Sequence, residues 1–342
     1  MMNRLQRTAI WTLAALLLVG TPCFVEEGVA ASASSAASAS SAKELKSTSA
    51  KRYPGTRRRA RRRRRPAPLR LPEVTASGIP RLHVKAAYVE DATGRVLFQK
   101  NPERVYPIAS LTKLMSVLVL FDTEPSWDRV VEIVPDDVKN SSRSRIRPRE
   151  EISVRDLIHA ALMSSDNVAT KALARTCGLS REEFVHRMNA KADSLGLSGT
   201  RFVEPTGLSE QNVATAQGVA RLLRVASNSD IVSTIMQKES YEFTSNRKIH
   251  RLVNTNRLLR SKWRVTAGKT GFIQEAGYCL ATNIEGENGA EITAVVLGAP
   301  SNALRFAEAR RILDWTFRFG LVPAVTNQIT PLPLTPISAE SD

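Results

Sequence analysis

The sequence predicts an α+β fold, in which a mainly antiparallel sheet packs against helices and a helical subdomain is inserted between the strands. Two observations support this prediction. Segments with the alternation of β-strands stand at both ends of the region from residue 79 to residue 320, and segments with helical periodicity fill the interval between them. We therefore expect a single sheet assembled from distant parts of the chain.

The first 30 residues have the pattern of a secretory signal peptide. Arg4 and Arg7 precede an apolar run that is broken at Gly20, and small residues near Ala30 offer a cleavage site. The alternative is an uncleaved membrane anchor, for which the run is short and interrupted. We expect export to the periplasm or cell envelope, as a soluble or peripherally membrane-associated protein.

Residues 31–78 are predicted to be a disordered linker, rich first in Ala and Ser and then in Arg. Residues 1–70 contain 15 basic and 3 acidic residues, whereas the remainder contains 34 and 30, so most of the net charge of +16 lies at the N-terminus. In an exported protein, we expect the polyarginine run to contact anionic wall material or lipid surfaces rather than a specific nucleic acid. The alternative is a solvated spacer without a partner.

The domain over 79–320 begins with a predicted hairpin and a core helix. The segments "RLHVKAAYVED" and "GRVLFQKN" alternate in strand fashion around the turn "DATG". The segment "SLTKLMSVLVLFD" has the apolar density of a buried helix, and "VVEIV" is a short strand. An amphipathic helix follows in "SVRDLIHAALM", with Ser153 in a capping position.

Further helices and three late strands complete the domain. Helices are predicted over roughly residues 166–176, 180–195, 215–227 and 229–238. The strand-like runs "WRVTAGKTGF", "GYCLATNIE" and "AEITAVVLGA" precede a last helix from Asn302 to Phe319. Residues 321–342 are rich in proline and are predicted to form an irregular tail.

We expect neither a metal site nor a cofactor. Once the signal peptide is removed, only Cys177 and Cys279 remain, and the four histidines are scattered along the chain. The two cysteines could form a disulfide in an oxidising compartment. However, Cys279 lies in the strand-like run "AGYCLAT", which favours a buried thiol.

Three short motifs occur in order along the domain. Ser110 and Lys113 form a Ser-x-x-Lys motif at a helix start, Ser165 and Asn167 form a Ser-x-Asn motif between two helices, and Lys269 begins a Lys-Thr-Gly motif on a late strand. Each motif alone is weak evidence, since "SSDN" is also a good helix cap. In their order and structural settings they resemble the motif set of penicillin-binding proteins and serine β-lactamases, which implies the active site of a serine enzyme.

The expected chemistry explains the residue types. A serine hydroxyl is a poor nucleophile at neutral pH, and no histidine lies in a motif that could activate it. Positions three apart share one face of a helix, so we expect the Lys113 amine beside the Ser110 hydroxyl. Burial and a neighbouring cation, for which Lys269 is the natural candidate, would lower the pKa of Lys113 enough for it to act as a base. The alternative, a surface lysine, does not explain the apolar residues on both sides of the motif.

The motifs, together with the stretches "FVEPTGLSEQNVATA" and "NTNRLLRSKWRVTAGKTGFIQEAGYCLAT", resemble the D-alanyl-D-alanine endopeptidases among the small penicillin-binding proteins. The resemblance covers roughly residues 80–318. It implies a β-lactamase/transpeptidase-like fold and hydrolysis of peptidoglycan cross-links through an acyl-enzyme that β-lactams block. The implied partners are peptidoglycan stem peptides, and no cofactor is implied.

The resemblance also implies a role for each motif residue. Ser110 would be the acylated nucleophile, with Lys113 as its base and its own backbone N–H as one oxyanion donor. Ser165 would pass a proton to the leaving amine, and Asn167 would hold the substrate amide. On the late strand the implied substrate-binding residues are Lys269 and Thr270 for the negative end of the substrate, Gly271 for close approach, and Phe272 for its backbone N–H as the second oxyanion donor.

Three other functions stay open. A D-alanyl-D-alanine carboxypeptidase shares the acylation step. Carboxypeptidase relatives commonly end in an amphipathic membrane-binding helix, whereas a proline-rich tail follows the last predicted helix here. This difference favours the endopeptidase. A β-lactamase needs a deacylating glutamate, and Glu204, followed by Pro205, does not fit that pattern and is predicted to be a structural turn residue. A non-enzymatic polyanion- or wall-binding protein would depend on the arginine run alone.

Overall fold

The computed structural model describes residues 78–141, 144–287 and 289–319. The predicted signal peptide, residues 31–77 of the predicted linker and the predicted tail from residue 321 lie outside these residues. The described strands are β1 (Ala86–Asp91), β2 (Val96–Lys100), β3 (Tyr106–Pro107), β4 (Val130–Glu132), β5 (Glu151–Ser153), β6 (Val213–Ala214), β7 (Ser240–Thr244), β8 (Ile249–Val253), β9 (Arg264–Ile273), β10 (Gly277–Glu285) and β11 (Glu291–Ala299). The described helices are α1 (Lys113–Phe121), α2 (Pro135–Val138), α3 (Val154–Met163), α4 (Asn167–Thr176), α5 (Arg181–Ser194), α6 (Ala216–Ser227), α7 (Asp230–Gln237) and α8 (Asn302–Arg318).

Five strands form the main sheet, in the order β2-β1-β11-β10-β9, and all neighbours are antiparallel. β1, from the start of the domain, pairs with β11, near its end, so that Val89 lies opposite Ala294. Helices α1 to α7 lie between these strands in the sequence. The prediction of an α+β fold with one sheet built from distant segments is confirmed.

The sheet separates two apolar cores, because alternate residues of a strand face opposite sides. On β11, Val295 and Leu297 belong to the larger core, which also contains Leu114 of α1. Val296 belongs to the second core, which also contains Ile312 of α8. The continuous apolar run of β11 is thus explained by burial on both faces.

Side-chain caps define the starts of α3 and α4. The Ser153 side chain accepts a hydrogen bond from the Asp156 backbone N–H at the start of α3, as predicted. The Asp166 side chain accepts from the backbone N–H of Ala169 at 3.0 Å and so defines the start of α4. The backbone N–H of Asp166 also donates to the carbonyl oxygen of Ala160 on α3 at 3.0 Å, so the short connection between the two helices has little freedom.

Several local features differ from the sequence prediction. The predicted helix at Ser110 begins as a 3₁₀ turn over Ala109–Thr112, and the α-helix starts only at Lys113. The β7–β8 hairpin was not predicted, although its residues alternate in burial. Among the described residues, no helix is both long enough and apolar enough to span a bilayer.

Candidate active site

The structure brings the three sequence motifs together at one place. Ser110 lies on the 3₁₀ turn before α1, Ser165 lies in the α3–α4 connection, and Lys269 lies on β9, one of the two edge strands of the main sheet. Hydrogen bonds link the motifs: the Lys113 Nζ donates to Asn167 Oδ1 at 2.7 Å, and the Lys269 Nζ donates to Ser165 Oγ at 2.8 Å. Each of the three motifs thus supplies part of a single constellation.

Lys113 is fully buried, and its amine points at the Ser110 hydroxyl. The distance from Lys113 Nζ to Ser110 Oγ is 3.1 Å, and the amine also donates to the backbone carbonyl of Thr206. Burial lowers the pKa of Lys113 from 10.5 to about 7, although the negative charges of Glu204 and Asp166 act to raise it. A substantial fraction of the amine is therefore neutral near pH 7, as a general base requires.

Lys269 is buried as well, with 1% of its surface exposed. Its pKa is lowered well below 10.5 by burial, and the positive charges of Lys113 and Arg305 lower it further. The sequence analysis expected a neighbouring cation to lower the pKa of Lys113. Instead, the charged groups that act on Lys113 are carboxylates, which raise its pKa. The positive charge of Lys113 lowers the pKa of Lys269. The physical reason for the low pKa of Lys113 is desolvation.

The Ser-x-Asn motif lies in a strained connection. Ser165 has a φ of 62°, in the left-handed region that residues other than glycine seldom adopt. Neighbouring bonds hold this conformation, because Asp166 caps α4 and also accepts a hydrogen bond from Ser144 Oγ at 2.7 Å. The strained residue, Ser165, is therefore the one whose hydroxyl accepts a hydrogen bond from Lys269.

Gly271 allows β9 to approach the turn that bears Ser110. A Cβ atom at Gly271 would lie 2.8 Å from the carbonyl oxygen of Ile108 and 3.1 Å from the backbone nitrogen of Ser110. Glycine is thus required at this position because the backbone of residues 108–110 lies too close for a side chain. The adjacent Phe272 side chain is exposed and stacks on Tyr278, with ring centroids 4.2 Å apart.

Sequence reasoning missed a loop that completes the site. The Glu204 carboxylate is buried and accepts hydrogen bonds from the backbone N–H groups of Thr206 and Gly207, at 2.7 and 2.6 Å, and from Asn212 Nδ2 at 2.9 Å. These bonds confirm that Glu204 is a structural turn residue. They also hold the Thr206 carbonyl in place as an acceptor for Lys113. Backbone acceptors leave no residue-type signal in a sequence, so this contact could not be found there.

Arg305 is a second residue that the sequence analysis missed. It lies on α8 with 6% of its surface exposed, and its guanidinium donates to the carbonyl oxygens of Gly271 at 2.9 Å and Cys279 at 3.0 Å. It therefore ties β9 and β10 to α8 behind the Lys-Thr-Gly motif.

The cysteines take no part in this constellation. Cys177 and Cys279 are both free thiols, so the possible disulfide between them is absent from the structure. Cys279 is completely buried, and burial raises its pKa to about 11. The preferred interpretation of Cys279 as a buried thiol is confirmed.

Comparison with known proteins agrees with this geometry. A family model for D-alanyl-D-alanine carboxypeptidase peptidases matches residues 74–301. The chain belongs to this peptidase family. The resemblance inferred from the three motifs is therefore confirmed, and the protein is a serine peptidase of the hydrolase class.

Relatives in the family differ in how much of their length is matched. A D-alanyl-D-alanine endopeptidase of Pseudomonas aeruginosa is 37% identical over 274 residues, which cover 78% of this chain and 83% of that protein. A D-alanyl-D-alanine carboxypeptidase of Bacillus subtilis is 35% identical over 246 residues, which cover 68% of this chain and 61% of that protein. A mutant of the Streptomyces K15 DD-transpeptidase superposes with a TM-score of 0.66 and 25% identity, covering 70% of this chain and 99% of that one. This likeness confirms the transpeptidase-like fold of the family.

Proposed function

We propose that the protein is an exported D-alanyl-D-alanine endopeptidase that cleaves peptidoglycan cross-links through an acyl-enzyme on Ser110. The observation that supports it most directly is the buried Lys113 amine, which lies 3.1 Å from Ser110 Oγ and has a pKa of about 7. A serine beside a base that is neutral at working pH is an activated nucleophile. The family membership supplies the substrate class.

In the acylation step, neutral Lys113 removes the Ser110 proton while Ser110 Oγ attacks the carbonyl carbon of a D-alanine residue. The backbone N–H groups of Ser110 and Phe272 are the proposed donors to the resulting oxyanion. Ser165, hydrogen-bonded to Lys269, passes its proton to the departing amine and takes up in return the proton that Lys113 removed from Ser110, which leaves Lys113 neutral again. Water then hydrolyses the ester and restores the free Ser110 hydroxyl.

The remaining motif residues are proposed to hold the substrate. Asn167 binds the substrate amide, and its position is fixed by the hydrogen bond that Oδ1 accepts from Lys113. Lys269 and Thr270 receive the negative end of the substrate, and both are nearly fully buried, so their interaction with a carboxylate is little weakened by water. Gly271 keeps this strand close to the nucleophile.

An endopeptidase and a carboxypeptidase share the acylation step and differ in the leaving group. The endopeptidase releases the side-chain amine of a diamino acid on another stem peptide, whereas the carboxypeptidase releases free D-alanine. The endopeptidase is favoured because the Pseudomonas aeruginosa endopeptidase is 37% identical over 274 residues, against 35% over 246 residues for the Bacillus subtilis carboxypeptidase. A β-lactamase is disfavoured because the Glu204 carboxylate is occupied by backbone donors.

The test compares a purified cross-linked muropeptide dimer with a monomeric pentapeptide at equal concentration, with mass analysis of the products. We expect the dimer to be converted to monomers, and a Ser110→Ala variant to leave it intact. Release of D-alanine from the pentapeptide with the dimer left intact would identify a carboxypeptidase instead.

We also propose that residues 1–30 direct export and that the linker over 31–78, with its arginine run, binds anionic wall or lipid material without contributing to the chemistry. A chain beginning at Ile79 should retain full activity on small soluble peptides. The extra binding of the full chain to sacculi should weaken steeply with salt, since salt screens exposed charges. Extra binding that does not change between low and high salt would refute the electrostatic explanation.

A further inference from the structure

Thr255 lies on a segment that is fixed on both sides by buried asparagines. Asn254 Nδ2 donates to the backbone carbonyls of Met236 and Lys238, both at 3.0 Å. Asn256 donates its backbone N–H to Asn254 Oδ1 at 2.9 Å. The backbone at Thr255 is therefore held rigidly, which allows its short side chain to set the position of a neighbour.

Thr255 contacts two of the segments that bear the proposed active-site residues. Its backbone N–H donates to the carbonyl of Met163 at 2.9 Å, and Met163 is the last residue of α3, just before the connection that contains Ser165. Its hydroxyl lies 3.2 Å from the same carbonyl. The Thr270 hydroxyl lies 2.7 Å from the Thr255 hydroxyl. No sequence motif drew attention to Thr255.

Each hydroxyl has one proton to donate, and this limits how the two can be arranged. The Met163 carbonyl can only accept, so a Thr255 proton directed there makes Thr255 the acceptor of the Thr270 proton. In this arrangement the Thr270 hydroxyl donates its proton to Thr255, and only its lone pairs remain available to a bound ligand. A carboxylate has no proton to share and would be repelled by those lone pairs.

The opposite arrangement suits a carboxylate. If Thr255 turns its proton toward Thr270, then Thr270 can donate its own proton to the ligand, and the two hydroxyls form a chain that points at the negative charge. The reversal costs little, because the Met163 carbonyl still accepts the Thr255 backbone N–H at 2.9 Å. The Thr270 side chain does not need to move.

We propose that Thr255 is a positioning residue that reverses its hydrogen bond when an anionic substrate binds, so that Thr270 becomes a donor to the substrate carboxylate. The inference rests on the proposed function, in which Thr270 receives the negative end of the substrate. It adds a residue outside the three motifs and assigns it to the selection of anionic over neutral ligands.

The test measures the second-order rate constant for acylation of Ser110 by benzylpenicillin, which has a carboxylate, and by its neutral methyl ester. Thr255→Val keeps the shape of the side chain and removes the hydroxyl. We expect it to slow acylation by the acid roughly three- to tenfold, because Thr270 loses the neutral hydrogen bond that orients and polarises its hydroxyl while it donates to the carboxylate, and to change the ester rate less than about twofold. Thr255→Ser retains the hydroxyl, so its ratio of acid to ester acylation rates should equal that of the wild type rather than that of Thr255→Val.

Two further variants separate positioning from general damage. Thr293→Val removes a buried hydroxyl on β11, which bonds to Asn283 rather than to the site, and should leave the ratio of acid to ester rates unchanged. In a Thr270→Val background, Thr255→Val should have no further effect on that ratio, because it acts through Thr270. Thr255→Ala serves as a second hydroxyl deletion, should Thr255→Val fold poorly.

Several results would overturn the inference. Equal slowing with acid and ester in Thr255→Val or Thr255→Ala would mean that the hydroxyl only maintains the shape of the cleft. An unchanged ratio, or loss of the preference in Thr255→Ser, would also contradict it. Failure of the wild-type protein to be acylated by either compound would refute the proposed function itself, which distinguishes the two claims.

Discussion

The pKa of Lys113 predicts how acylation of Ser110 depends on pH. With a pKa of about 7, about half of the amine is neutral at pH 7 and about a tenth at pH 6. A lysine with the ordinary pKa of 10.5 would be neutral in only about 0.03% of molecules at pH 7. Burial thus increases the reactive fraction roughly a thousandfold at this pH, and acylation should rise through pH 7 toward a plateau.

Replacing Asp166 by Asn tests the electrostatic origin of this value. The negative charge of Asp166 raises the pKa of Lys113, so its removal should move the rise in acylation to lower pH. The local fold should persist, because Asn caps helices as well as Asp does, and its amide can donate to Ser144 where the carboxylate accepts. Asp136→Asn removes the same charge from an exposed position on α2 and serves as the control.

The assay is the rate of labelling by a fluorescent penicillin between pH 5 and pH 9, with each rate divided by the plateau of the same variant. We expect Asp166→Asn to retain a larger part of its plateau rate at pH 6 than the wild type or the control. A shift of the rise to higher pH, or a wild-type rise near the ordinary lysine pKa, would refute the assignment of Lys113 as the base.

Three other predictions follow from the same contacts. Lys113→Met should be more stable than the wild type, with the largest advantage at and below pH 7. The lowered pKa of Lys113 makes the unfolded chain bind more protons than the folded chain between about pH 7 and 10.5, so wild-type stability rises across this window. The advantage should therefore shrink by about 3 kcal/mol between pH 7 and pH 10, which urea titrations would measure. Gly271→Ala should slow acylation roughly tenfold or more, because its Cβ would lie 2.8 Å from the Ile108 carbonyl oxygen; a wild-type rate would contradict this. Ser144→Ala removes the donor to Asp166 and should slow acylation roughly threefold with little change in melting temperature, which a thermal scan and the labelling assay check together.

The main sheet and most helices could be predicted because their signals are local. The strands that form β9 to β11 are apolar runs bounded by turn residues, and Ser153 stands where a cap is required. The β7–β8 hairpin was overlooked although Tyr241 and Phe243 alternate with polar residues. Its strands have only five residues each, a length at which alternation is a weak signal.

The motif residues of the site and the lowered pKa of Lys113 could be predicted, but the charged groups that act on Lys113 could not. The sequence places Lys113 in an apolar run, and from this its burial and lowered pKa follow. It does not reveal that Glu204 and Asp166 are the charges that act on Lys113, since these depend on how distant loops fold together. The Thr206 carbonyl and the Thr255 hydroxyl were missed for the same reason, because contacts across the chain have no local pattern.

The site of covalent modification by a β-lactam shows directly whether Ser110 is the nucleophile. The purified protein is treated with benzylpenicillin, and the intact mass and the proteolytic peptides are then measured. We expect one penicilloyl group per protein, on Ser110, with no adduct in Ser110→Ala and none in Lys113→Met. An adduct on another residue, or an unmodified but folded wild-type protein, would contradict the claim that Ser110 is the nucleophile of this site.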